Sequence, residues 1–164
     1  MKHFRGLFLL IATVALAAVV VGTALGAAQK KINFTGSYKG TVAEKVSGSS
    51  VTALANASGK GTLIGSSKLA GTVQATTANP PCSPISGPGT ITGSKGKLKI
   101  TVITGSKGCA AGEDDQDNIS VVGNAKVAGG TGMFKKAKGT LRFTGHYDRK
   151  GGSFNVKLTG SLTY

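Results

Sequence analysis

The chain reads as an all-β protein: an antiparallel up-and-down barrel of about eight strands, with a β-sandwich as the alternative, behind an N-terminal signal helix. Three observations predict it. Residues 128–164 alternate apolar and polar side chains almost to the last position. Glycine, threonine and serine recur at short intervals, and no stretch beyond residue 28 sustains a period of three to four residues. Alternating runs are separated by turn-forming clusters such as Gly48-Ser49-Ser50, Gly65-Ser66-Ser67, Gly93-Ser94-Lys95-Gly96 and Gly105-Ser106-Lys107-Gly108. An open sheet of that many strands would leave two unpaired edges, which closure removes.

The N-terminal element comes first. Met1-Lys2-His3-Phe4-Arg5 is basic, residues 6–21 are apolar, and Thr23, Ala24, Gly26, Ala27 and Ala28 are small, the three-part plan of a secretory signal. Cleavage is expected after Ala28, with Gly26 as the other candidate. The apolar run is also long enough to span a bilayer, so an uncleaved anchor over residues 6–28 competes with the signal reading. The remainder, residues 29–164, has the length of one domain with one core.

The strands follow. Ile32, Phe34, Gly36, Tyr38, Gly40 and Val42 share one face, and Asn33, Thr35, Ser37, Lys39 and Thr41 the other. Similar alternation runs through Leu69, Gly71, Val73 and Ala75, through Leu98, Ile100 and Val102, and through Ile119, Val121, Gly123, Ala125 and Val127. Residues 75–86 contain Asn79-Pro80-Pro81-Cys82-Ser83-Pro84 and read as a long loop, because proline cannot serve a central strand. The last two runs set Leu141, Phe143, Gly145 and Tyr147 against Phe154, Val156, Leu158, Gly160 and Leu162, joined by the turn Arg149-Lys150-Gly151-Gly152. Pairing Asp148 with Ser153 then places Tyr147 opposite Phe154, Gly145 opposite Val156, Phe143 opposite Leu158 and Leu141 opposite Gly160. Large residues meet small ones, and inward glycines let strands coil as closure requires. The outward positions are too polar for a barrel whose outer face meets lipid.

Residues 127–140, with Gly129-Gly130-Thr131-Gly132-Met133-Phe134 followed by Ala137-Lys138-Gly139, resemble the glycine-rich strand and turn of the allene oxide cyclase and dirigent-like barrels. The pattern from Leu141 to Gly145, and again from Leu158 to Leu162, is similar to small exported bacterial proteins of unassigned function. The resemblance covers about a quarter of the chain. It implies an eight-stranded barrel with a small interior cavity. In those families the catalytic groups are acidic, Tyr or Arg side chains facing the cavity. No such pattern can be laid on the inward positions assigned above, so no catalytic residue is carried over. Lipocalins fit less well, since their opening strand carries a tryptophan and this chain has none.

Charge narrows the partners. Lys2 and Arg5 belong to the leader, so the remaining chain keeps eighteen basic against six acidic residues, a net +12. Such a surface attracts anionic envelope polymers or lipid headgroups. The scarcity of aromatics argues against nucleic acid, which needs stacking platforms beside a basic groove. Nothing in the pattern specifies an oligomeric state. Cys82 and Cys109 are the two cysteines; in an exported chain they are expected to form one disulfide, with free thiols as the alternative.

Few residues carry chemistry. Lys138-Gly139-Thr140 lacks the order of a phosphate loop and runs into a strand, so the glycine element is a structural turn and no cofactor is implied. Within His146-Tyr147-Asp148-Arg149 the alternation sends Tyr147 inward and His146 and Asp148 outward, which separates a would-be acid–base pair. Glu113-Asp114-Asp115-Gln116-Asp117 gathers four of the six acidic residues. Asp114, Asp115 and Asp117 are weak calcium candidates, because their spacing is not that of a calcium loop. Asn33, Asn56 and Asn118 open glycosylation triplets, which matter only in a glycosylating host. The expectation is an exported, non-enzymatic barrel. It either binds a small apolar ligand, with Tyr38, Phe143, Tyr147 and Phe154 lining a cavity, or serves as an envelope-associated structural module. An isomerase or cyclase of the resembled type is the alternative.

Overall fold

The computed structural model describes residues 29–76, 81–112 and 114–164. Residues 1–28, on which the expected signal segment falls, residues 77–80 of the expected loop, and Glu113 lie outside the described residues. Among the described residues ten strands form one sheet: β1 (Lys31–Ser47), β2 (Ser50–Gly61), β3 (Gly65–Thr76), β4 (Cys82–Pro84), β5 (Gly87–Gly93), β6 (Gly96–Val102), β7 (Lys107–Ala110), β8 (Asn118–Gly130), β9 (Lys138–Asp148) and β10 (Ser153–Thr163). Every pairing is antiparallel. The ladder runs β5, β3, β2, β1, β10, β9, and β8 joins both β9 and β6. Eight strands therefore close a barrel. The sandwich alternative is excluded, because no edge remains between β8 and β9.

The other two strands are extensions. β4 lies in line with β5, and β7 in line with β6; they pair with each other through Cys82–Cys109, Ser83–Gly108 and Pro84–Lys107. β7 continues along the same edge of β8 that β6 uses. The break between β6 and β7 is held by Ser106, whose hydroxyl donates to the Ile103 carbonyl at 2.7 Å and accepts from the Asn124 amide at 3.1 Å. Ser106 occupies the space that a side chain at Gly123 would need. The loop expected over residues 75–86 is thus corrected: Ala75 and Thr76 stay in β3, and Cys82–Pro84 is a strand whose prolines flank or end it.

The closing hairpin has the register set by large-against-small matching. Tyr147 pairs with Phe154, Gly145 with Val156, Phe143 with Leu158 and Leu141 with Gly160. A Cβ at Gly160 would strike the Thr140 carbonyl, and one at Gly40 the Asn56 carbonyl. Only glycine permits that close inward coiling. Two turns differ from expectation. Between β2 and β3 the chain turns at Thr62, Leu63 and Ile64, and Gly65 opens the next strand. Lys107 and Gly108 belong to β7.

At one end of the barrel the Gly129-Gly130-Thr131-Gly132 element delivers a short 3-10 turn, Gly132–Phe134. Gly129 and Gly132 take positive φ, and the Thr131 amide donates to the Lys97 carbonyl at 2.9 Å. This drives Phe134 into the barrel, fully buried. Ile64, Ile91, Leu98, Leu141 and Leu162 are also fully buried, and the Tyr164 ring lies 6.5 Å from that of Phe134. This end is plugged. Among the described residues every strand belongs to this one sheet.

Candidate ligand cavity

The other half of the barrel is hollow. Its inward residues are small: Ala53 and Ala55 on β2, Gly71 and Ala75 on β3, Gly89 on β5 and Ala125 on β8. The perimeter stays that of an eight-stranded barrel while the side chains shrink, and a cavity of about 270 Å³ remains. Its deep wall is Leu69, Ile100, Phe143, Val156 and Leu158. The volume sits near the lower edge of the roughly 300–1,000 Å³ range usual for small-molecule sites.

Polar groups gather at the mouth. Glu44 continues the inward parity of β1 one step past Val42, and Arg149 continues that of β9 one step past Tyr147. Arg149 Nε lies 3.2 Å from Glu44 Oε2, and Arg149 Nη1 donates to the Gln116 carbonyl at 3.2 Å. The Arg149 amide donates to the Asp117 carbonyl at 2.8 Å, which ties the loop after β7 to the rim. Burial pushes the Tyr147 phenol above its usual value. The Glu44 charge and a hydrogen bond to Glu44 push the same way, with Arg149 partly offsetting them. Tyr147 is therefore a neutral donor at physiological pH.

The candidate residues divide. Phe143, Tyr147 and Phe154 line the cavity. Tyr38 does not. It lies toward the plugged end, with only 1% of its surface exposed, and its hydroxyl is 3.1 Å from Ser67 Oγ. Burial raises its pKa, with the Ser67 hydrogen bond acting against the rise. The reason for the displacement is depth: Tyr38 shares the inward parity but sits two inward positions below Val42, where a Cβ at Gly36 would meet its ring and one at Gly61 its hydroxyl.

Asp114, Asp115 and Asp117 do not converge. Asp115 accepts from the backbone amide and side-chain amide of Asn118, at 3.1 and 2.6 Å, and these bonds lower its pKa. Its carboxylate closes a turn. No group of three or more His, Cys, Asp or Glu side chains is placed to hold a metal among the described residues. His146 is exposed and Asp148 accepts from the Gly151 amide at 3.0 Å, a turn contact.

Cys82 and Cys109 form a disulfide joining β4 to β7. Their neighbours Pro81, Ser83, Gly108 and Ala110 line the cavity, so the bond holds one side of its wall. Sequence reasoning missed Glu44 and Arg149. Both carried a legible signal, a charged residue in step with an apolar face at the end of a strand. No family model, curated protein or solved structure matches the chain.

Proposed function

We propose that the protein is an exported barrel that binds a small amphipathic molecule, its apolar part inside the cavity and its polar end at the Glu44, Tyr147 and Arg149 rim. One observation carries this reading: an apolar interior of about 270 Å³ opens beside a polar rim. An enclosed apolar space with a few fixed polar groups is the usual plan of a small-molecule site. Export rests on the N-terminal pattern, and the Cys82–Cys109 bond is compatible with an oxidising compartment.

The test is binding of N-phenyl-1-naphthylamine, an uncharged apolar fluorophore, to native protein and to Ala55→Leu. Ala55 lines the cavity, and the added side chain takes up part of its space. Native protein should enhance the fluorescence saturably, and the variant should lose most of that signal while keeping its circular dichroism. Equal binding by both would defeat the proposal.

A second reading draws on the same rim. The resembled cyclases and dirigent-like proteins use acidic, Tyr or Arg groups facing the cavity, and Glu44, Tyr147 and Arg149 supply those three types at the mouth. An isomerase or cyclase would lose turnover in Glu44→Gln and in Tyr147→Phe. A carrier would show altered affinity and no turnover to lose.

A further inference from the structure

The two ends of the barrel differ in charge as sharply as in packing. At the plugged end Lys30, Lys31, Lys95, Lys135, Lys136 and Lys138 occupy the chain entry, the β5–β6 turn and the segment around the 3-10 turn, and all are exposed. No acidic residue lies there among the described residues. Glu44, Asp114, Asp115, Asp117 and Asp148 all lie toward the mouth, as does the Arg149–Glu44 ion pair. The lysines of the plugged end thus face solvent as a cluster of one sign, where their fields add.

The chain also enters the barrel at this end. The Lys30 amide donates to the Tyr164 carbonyl at 3.1 Å, and the apolar run of residues 6–21 stands a few residues before it in the sequence. An apolar run of that length partitions into a bilayer. For as long as that run stays joined to the barrel, it brings the lysine face toward the lipid surface.

We infer that the plugged end is a docking face for an anionic lipid bilayer, which directs the cavity mouth away from the membrane. Lysines held within a Debye length of an anionic surface each strengthen partitioning severalfold. The inference rests on charge placement and chain entry, and stands whether or not the cavity binds a ligand.

The test uses residues 29–164, so that the apolar run cannot itself carry the protein to lipid, after a cooperative melt shows this segment folded. Partitioning is measured by sedimentation onto vesicles of phosphatidylglycerol mixed with phosphatidylcholine, and onto phosphatidylcholine alone. One variant replaces Lys95, Lys135, Lys136 and Lys138 by Gln; a second replaces Lys45, Lys107, Lys126 and Lys150, from the mouth and wall, and loses the same charge. The native segment should bind only the anionic vesicles. The first variant should lose about tenfold or more of that partitioning, and the second under about threefold. Equal losses in both variants would reduce the effect to net charge and overturn the docking face. So would failure of the native segment to bind anionic vesicles, and retention on dextran sulfate without vesicle binding would assign the face to a soluble polyanion instead.

Discussion

The plugged and hollow halves of the barrel stand on the same strands and the same two-residue alternation, and they differ in side-chain volume. On the plugged side the inward layer is Phe34, Tyr38, Ile91, Leu98, Leu141 and Leu162, with Phe134 inserted from outside the ladder. On the hollow side alanine and glycine take the corresponding places on β2, β3, β5 and β8. Alternation decides which face is dry. Volume decides whether the dry face fills or encloses space. The extra strands and the disulfide are also on the hollow side, where packing alone holds the wall least.

The largest test of this contrast removes the plug. Phe134→Ala should cost about 3–5 kcal/mol, since a fully buried ring leaves a void its neighbours cannot close. Val73→Ala, on the cavity wall, should cost only about 1 kcal/mol, because a half-buried valine beside empty space loses less contact. Urea unfolding of both variants measures the gap. Similar losses would mean that the two halves are packed alike.

Next is the staple. Replacing both Cys82 and Cys109 by serine should lower stability by about 2 kcal/mol, toward the low end for a natural disulfide, because the β5–β6 hairpin already closes most of the loop it spans. The sharper readout is local. Hydrogen exchange should rise in β4 and β7, and naphthylamine binding should weaken, while the amides around Phe134 stay protected. Uniform loosening of both ends would show that the bond supports the whole barrel rather than the cavity wall.

These differences bear on what the sequence could show. The closing hairpin was legible down to its register, because Leu141, Phe143, Val156 and Leu158 are large enough to mark the inward face and Gly145 and Gly160 fit opposite bulk. β2 and β5 were the hardest strands to see. On β2 the exposed Leu54 is more apolar than the inward Ala53, Ala55 and Ala57, and β5 offers only Ile91 among glycines. The residues that make the cavity are the ones that blur the alternation, so a hollow barrel hides its own lining. Parity places Tyr38 on the same inward face as the cavity residues and says nothing of its depth along the strand. Glu44 and Arg149 were missed for the converse reason: they keep the parity but break the hydropathy, at the rim where water can reach them.

The smallest predicted effect returns to the packed side. Tyr38→Phe removes the hydrogen bond to Ser67, while Ser67 keeps the Gly65 carbonyl as acceptor at 3.1 Å, so about 1 kcal/mol should be lost at neutral pH. The same hydroxyl gives the fold an alkaline limit. Burial raises the Tyr38 pKa in the folded state, whereas the unfolded chain releases the proton near the ordinary value of about 10. The folded state therefore holds more protons than the unfolded one above that pH. The contribution is complete below pH 10 and is lost as pH rises through the elevated folded value. Tyr147 adds a weaker slope of the same sign, because it lies near the mouth and shares its surroundings with Arg149. Urea midpoints of native protein should thus fall more steeply above about pH 10 than those of Tyr38→Phe, with the two curves converging at the alkaline end. Parallel curves would place the titrating group elsewhere, and a greater flattening of the curve in Tyr147→Phe than in Tyr38→Phe would reverse the assignment of the stronger constraint to the packed half.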